Sequence, residues 1–259
     1  MATSSPVAPR LSAAIMLMRS NTMDGSLEVY MVRRHAQSSF APDVFVFPGG
    51  SVVDSDREAE VTAGVCVPIN APNTATALGA GVRVAGIREL FEEAGVLLAL
   101  RDEAISGDNR SYVARLATYR QQLQRDEVTI AEIAAAEDIV LATDGLLPCA
   151  HWITPEAFPK RFATHFFLAL HPHGQEASYD ALETTGGLWI RPTAALAGAD
   201  AGNFPLVFAT VHQLRDLALF TTPGAALDAW RGRTPPTIMP RALQRDGREV
   251  ILMPDEFAP

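Results

Sequence analysis

Arg88-Glu89-Leu90-Phe91-Glu92-Glu93-Ala94-Gly95-Val96 carries the most specific pattern in the chain. On a helix turning about 100° per residue, setting Arg88 at zero puts Glu92 at roughly 40°, Glu89 at roughly 100° and Glu93 at roughly 140°, so three carboxylates share one face. Val84, Ile87, Phe91 and Ala94 fall between about −40° and −120°, a stripe that can pack on a core. Ala85 and Gly86 lie on the acidic side, where their small size is expected to leave room for a ligand. The periodicity begins near Val82 and stops at Gly95, a residue suited to the left-handed position after a helix. Hard divalent cations bind through a few carboxylates together with waters and substrate phosphates, so the acidic face is a candidate metal-phosphate site. For an acidic run taken alone, a solvated helix face is the commoner reading, by roughly three to one.

The surrounding pattern reverses that preference. The nine residues match every position of R-E-U-x-E-E-x-G-U (U aliphatic), which ordinary residue frequencies would produce in a chain of this length on the order of once in 10⁵ sequences. This resembles the second half of the Nudix hydrolase signature, G-x5-E-x7-R-E-U-x-E-E-x-G-U. Working back, Gly50 followed by five residues reaches Asp56, an acid one methylene shorter than the family's Glu. From Asp56 to Arg88 is 32 positions where the simple pattern has 8, so about 24 extra residues interrupt the box. The Phe47-Pro48-Gly49-Gly50 entry, the long insert and the run into Leu97 and Leu98 together resemble the branch of peroxisomal coenzyme A diphosphatases and their bacterial relatives. Trp152-Ile153-Thr154-Pro155, Arg161 to Phe167 and Trp189 add softer similarity over most of the chain.

The resemblance implies an α/β fold, the Nudix α/β/α sandwich with a mixed sheet and helical insertions. It implies Glu89, Glu92 and Glu93 as ligands of Mg²⁺ or Mn²⁺, with Glu89 alternatively the base for the attacking water. Arg88 would orient a helix carboxylate, a role the forked guanidinium suits. Gly49 and Gly50 would shape the loop beside the metal, although a strand-ending turn is an equally good reading of either glycine alone. A further acid from outside the box is expected at Glu183, with Glu176 behind it. Arg33, Arg34 and Arg161 are candidates to hold a diphosphate, each with a solvated role as the alternative. Phe40, Trp152, Phe166 and Phe167 are core or pocket-wall candidates, and His151, His171, His173 and His212 show no metal-ligand pattern. The implied reaction is metal-dependent hydrolysis of a diphosphate in a nucleoside diphosphate derivative, coenzyme A or acyl-coenzyme A first. ADP-ribose or a dinucleotide is the nearer rival, and a non-catalytic nucleotide-binding module the further one.

Composition sets the bounds. With 48% hydrophobic residues in 259 positions the chain can bury a core, and 21 Lys+Arg against 30 Asp+Glu give a net charge of −9, which argues against nucleic acid and anionic membrane surfaces as partners. Cys66 and Cys149 lie far apart without metal-ligand spacing, which fits a reducing cytoplasm. No signal peptide, peroxisomal tripeptide or membrane span is expected from the pattern, and oligomeric state is not legible.

Residues 1–10 are expected to form a flexible tail and 11–259 one unit with insertions at about 57–81 and 101–148. The first insertion, rich in proline and glycine, reads as an excursion rather than a core element. Strands are expected over 12–18 and 28–33, joined by a tight reversal at Asp24-Gly25, and over 44–47, 150–153, 162–171, 188–191 and 249–253. Helices are expected over 112–124, 130–137 with Thr129 as N-cap, and 205–220.

Overall fold

The apolar run that follows Arg10 becomes β1 (Arg10–Ser20), buried without a break from Ser12 to Met18, as a strand covered on both faces must be. The computed structural model describes residues 6–38, 41–69, 78–101, 109–245 and 248–254, so Phe40 and residues 1–5 of the expected tail lie outside the described residues. The reversal into β2 (Leu27–Arg34) is local chemistry. Gly25 adopts φ 72°, Asp24 accepts from the Ser26 amide at 3.1 Å, and the Asn21 amide donates to the Ser26 carbonyl at 2.7 Å.

Further strands follow: β3 (Phe45–Val46), β4 (Gly49–Ser51), β5 (Ala99–Arg101), β6 (Ile139–Leu141), β7 (Leu147–Ile153), β8 (Phe162–Leu170), β9 (Thr184–Ile190), β10 (Thr237–Ile238), β11 (Arg241–Arg245) and β12 (Arg248–Leu252). Among the described residues the main sheet runs β10-β7-β8-β1-β2-β3, with β4 also on β1 and β9 also on β2. It is mixed. β1 lies parallel to β8, from Arg10 opposite Phe162 to Met18 opposite Leu170, while β2, β4, β7 and β9 pair antiparallel.

The period of two along β1 divides the core. Ala13, Ile15 and Leu17 join Phe167 and Ala169 of β8 in one apolar cluster, which includes the helix of the acidic motif. Ala14, Met16 and Met18 join Phe166 and Leu168 in a second cluster on the other face. The first face carries α1 (Asp54–Val61), α2 (Val82–Ala94), α3 (Asn109–Leu123) and α4 (Ile130–Glu137), and the second carries α5 (Pro192–Asp200), α6 (Phe208–Leu217) and α7 (Pro223–Trp230). The result is the expected α/β/α sandwich. Among the described residues no helix is long and apolar enough to cross a membrane.

Several local expectations hold. Gly95 closes α2 at φ 69° with its amide on the Phe91 carbonyl at 2.9 Å, and Thr129 caps α4, its hydroxyl accepting from the Glu132 amide at 3.2 Å while Glu132 returns to the Thr129 amide at 2.7 Å. Other elements differ. The excursion expected over 57–81 begins inside α1, and its Ala59, Val65 and Leu78 are buried in the first cluster, so the segment contributes to the core; 70–77 lie outside the described residues. Pro48-Gly49-Gly50 does not end sheet structure, because Gly49–Ser51 pair with β1 as β4. Helix α2 is buried on nearly all sides rather than on one stripe. The expected free space at Gly86 is filled by sheet, since a Cβ there would lie 2.8 Å from Ile15 Cδ1. Helices α5 and α7, built largely of small residues, had no clear periodic signal.

His165 on β8 stacks face to face on His151 of β7, ring centroids 4.0 Å apart. Burial, and then the neighbouring charges of His151 and Arg83, push the His165 imidazole down to about 4 from its usual 6.5. Between these values the unfolded chain takes up a proton that the folded chain refuses, so stability is complete above pH 6.5 and is lost as pH falls toward 4. His165→Phe keeps a ring in the stack and removes the proton site. Its urea midpoint should decline less steeply than that of the parent between pH 6.5 and 4.5; identical slopes would show that His165 does not carry this linkage.

Candidate active site

Arg88 organises the site. It comes from the buried middle of α2 and donates from Nε and Nη2 to the two oxygens of Asp56 at 2.8 and 3.1 Å, from Nη1 to Glu92 at 3.1 Å, and from Nη2 to the Ser51 carbonyl at 2.9 Å; Nη1 also lies 3.0 Å from a Glu89 oxygen. One guanidinium thus ties α1, β4 and α2 together. Burial by itself would lower its pKa, but the charges of Glu89, Asp56 and Glu92 and the Asp56 hydrogen bond raise it above its ordinary value. Asp56 is wholly buried and accepts in addition from the Val53 amide at 2.9 Å. The acid at the departing box position therefore holds Arg88, with its shorter reach met by the first turn of α1.

The helix carboxylates divide by surroundings. Glu93 is buried and accepts from the Gly49 amide at 2.9 Å. Burial and the Glu89 charge raise its pKa well above the ordinary carboxylate value, against the Gly49 bond and the Arg34 charge. Glu89 is pushed up to about 7 by burial, with the charges of Glu92 and Glu183 adding and Arg88 opposing. Glu92 is raised by burial and held at Arg88. Its main-chain carbonyl, one of the helix-end acceptors without a partner inside the helix, receives Arg120 Nε at 2.8 Å and Gln124 Nε2 at 2.9 Å from α3 and the residue after it. The helical insertion thus clamps the end of the acidic helix, a contact that motif reading missed because it joins residues 28 and 32 positions apart.

A cleft of about 940 Å³ opens at the end of the sheet where β1 and β8 begin and β2 and β7 end, within the size range of small-molecule sites. Glu89, Glu93, Glu183, Arg34, Gly49 and Gly50 line it, as do Trp152, Phe158, Phe162, Phe166 and Phe208. Glu183, expected as the acid outside the box, is thus brought to the helix acids. Asp180 builds the turn that presents it, accepting from the amides of Glu183 and Thr184 at 3.1 and 3.0 Å. Glu176 is exposed and does not line the cleft. Glu92, expected as a metal ligand, does not line it either and is held by Arg88. Phe167 is buried in the core cluster that includes α2 and does not line the cleft.

The three candidate arginines separate. Arg34 lines the cleft, and its Nε is buried without a hydrogen-bond partner. Arg33 instead pairs with Asp43 at 2.8 Å and lies 5.5 Å over the Phe45 ring. Arg161 is buried, donating to the carbonyls of Thr154 and Val7 at 3.0 and 2.7 Å, so it braces main chain and does not line the cleft.

Whether this site suits a divalent cation can be tested on its donors. Glu89, Glu93 and Glu183 offer oxygen only, the donor type hard cations take, and burial with mutual repulsion raises Glu89 and Glu93 despite the charges of Arg88 and Arg34, a penalty that a bound cation would offset. The residues fit such an ion. Among the described residues no three acidic, His or Cys side chains converge as a ligand cage.

The model of the NUDT19 Nudix domain matches residues 70–214. A Xenopus laevis acyl-coenzyme A diphosphatase NUDT19 is 27% identical over 213 residues, covering 69% of this chain and 56% of that protein, and the Gallus gallus counterpart is 28% identical over 208 residues, covering 65% and 55%. The chain therefore spans little more than half the length of these curated relatives. The crystal structure of a NUDIX hydrolase from Alicyclobacillus acidocaldarius superposes with a TM-score of 0.68 at 26% identity, covering 85% of this chain and 96% of that one.

The two glycines of β4 should respond differently to a methyl group. At Gly49 a Cβ would lie 2.2 Å from the Ala13 carbonyl oxygen and 2.7 Å from Ala14 Cα, which are backbone atoms of the central strand, whereas at Gly50 it would meet the mobile end of Glu89, 2.3 Å from Oε1. Gly49→Ala should lower unfolding free energy by about 1–3 kcal/mol or more, as overpacking does. Gly50→Ala should stay within about 1 kcal/mol of the parent in urea titration while displacing Glu89. Equal losses in the two variants would contradict this geometry.

Proposed function

The chain belongs to the NUDT19 Nudix domain family, and from that membership we propose that it hydrolyses the diphosphate of a nucleoside diphosphate derivative, with coenzyme A or acyl-coenzyme A as its substrate. The observation that carries this reading is the cleft in which Glu89, Glu93 and Glu183 face Arg34 beside the Gly49-Gly50 strand. Water adds across the bridging P–O–P bond, so one phosphorus gains the water oxygen and the other departs with the bridging oxygen. For coenzyme A the products are adenosine 3′,5′-bisphosphate and 4′-phosphopantetheine. A bound Mg²⁺ or Mn²⁺ supplies charge neutralisation of the diphosphate and a more acidic coordinated water.

The residues of this chain do the rest. Glu89, Glu93 and Glu183 would hold the cation, while Glu92 keeps Arg88 engaged. Gly49 and Gly50 allow close approach because they carry no side chain between the strand and the acids. Arg34 has a buried Nε awaiting an acceptor, and a phosphate oxygen is the acceptor that a guanidinium best matches. Among the described residues Arg34 forms no salt bridge, unlike Arg33, and braces no main-chain carbonyl as Arg161 does. The relatives named acyl-coenzyme A diphosphatase support the substrate choice. Residues 11–259 act as one unit in this reading, and two free thiols, Cys66 and Cys149, support a reducing cytoplasmic setting.

Product analysis across coenzyme A, ADP-ribose and NADH with Mg²⁺ and with Mn²⁺ tests the proposal. Adenosine 3′,5′-bisphosphate should be the main nucleotide product, Glu93→Gln should lower kcat roughly 10²-fold or more while remaining folded, and chelation by EDTA should abolish turnover. Arg34→Gln should depress kcat/KM more than Arg33→Gln does. Preferential cleavage of ADP-ribose would transfer the assignment to that substrate, and full activity in Glu93→Gln would remove the site assignment.

A further inference from the structure

The carboxylates of the cleft and most of its aromatic rings come from different elements, and the sheet order spaces these apart. Glu89 and Glu93 belong to α2, next to β4, which pairs with β1; Phe162 belongs to β8, Trp152 to β7, and Pro240 follows β10 by two residues. Adjacent strands lie about 4.8 Å apart, so β10 stands three strand spacings, roughly 14 Å, from β1. Ile251 of β12 lines the same cleft and Phe208 of α6 contributes to its wall. Lys160, the one ammonium of the lining, lies 5.7 Å over the Phe162 ring.

The segment that supplies Pro240 and Ile251 is built unlike the rest of the wall. Strands β11 and β12 pair only with each other among the described residues, with Ala242 opposite Ile251. The hairpin is moored at its base, where Met239 Sδ lies 3.9 Å from buried Arg161 Nη2 and Met253 packs against the second core cluster. It also lies beyond residues 70–214, the part that the family model matches. An element held by its base, outside the main sheet, and offering an apolar side chain to the cleft can vary its contribution without disturbing the acids.

We infer that the hairpin of β11 and β12 is the specificity-determining wall of this cleft, with Ile251 gauging the length of an apolar acyl chain carried by the substrate. The inference rests on the proposed diphosphate hydrolysis and deepens it. The nucleoside diphosphate portion sits by the acids, and the acyl thioester end extends along Phe162 and Trp152 toward Pro240 and Ile251. Each methylene buried on the way should raise kcat/KM by about fourfold at most, until the chain meets the wall and the gain stops.

The test is kcat/KM for free coenzyme A and its acetyl, butyryl, hexanoyl, octanoyl, decanoyl and palmitoyl thioesters in the parent, Ile251→Ala and Ile251→Trp. Ile251 is only partly buried, so both variants should fold, which thermal melting checks. The parent should show a rise that levels at one chain length; Ile251→Ala should level at a longer chain and Ile251→Trp at a shorter one, changing the ratio of decanoyl to butyryl turnover at least about tenfold between the two variants. A parent profile flat in chain length, or the same break point in every variant that folds, overturns the hairpin inference and leaves the hydrolase reading standing. A parent that cleaves ADP-ribose and no coenzyme A thioester overturns both.

Discussion

The buried ion pair between Arg88 and Asp56 is the constraint around which the site is arranged. A guanidinium taken out of water is tolerated only with its donors satisfied, and the Asp56 fork, Glu92 and the Ser51 carbonyl supply those partners from three elements. The pairing sets where α1 closes on α2 and where β4 runs beside them. Once Arg88 is fixed, Glu92 is held at it, and Glu93, one residue on, turns to the Gly49 amide. Arg88 thus sets the direction of Asp56 and Glu92, and the Gly49 amide that of Glu93.

Close approach is the second condition. The acids reach the cleft only because β4 can lie against β1 and α2 without side chains at Gly49 and Gly50, and α2 can lie against the sheet because Gly86 meets Ile15 and Ala13. The helical insertion completes the arrangement from the other end, with Arg120 and Gln124 taking up the Glu92 carbonyl. Its length reads as an embellishment, yet its contacts hold the acidic helix. Buried carboxylates with raised pKa follow from this packing, since the fold removes their water before any cation offsets their repulsion.

A cleft whose carboxylates and aromatic rings come from different elements suits a ligand with both charged and apolar parts. The carboxylates come from α2 and the turn before β9 and Arg34 from β2, while the rings and Ile251 come largely from β7, β8, α6 and the C-terminal hairpin, with Lys160 beside them. Chemistry and selectivity are thus carried by segments distant in sequence, and the second can change while the buried network around Arg88 is preserved.

By itself the sequence determined what short-range geometry controls. The spacing from Arg88 to Glu93 put the acids on one helix, Gly95 and Thr129 marked helix ends through the backbone angle or side-chain oxygen each provides, and Asp24-Gly25 marked the hairpin. The family resemblance implied one further acid outside the motif, Glu183 or Glu176, and the fold brings Glu183 to the cleft. Only the tertiary structure decided where the neighbours of these residues lie. Arg33 and Arg34 are adjacent and chemically equal, but successive residues of a strand face opposite ways and a register shift falls between these two, so Arg34 reaches the cleft and Arg33 pairs with Asp43. Arg161 braces main chain, Gly86 makes room for sheet rather than ligand, and Asp56 recovers the box position across a 32-residue separation, because burial and partner choice arise from contacts between segments that no local pattern encodes.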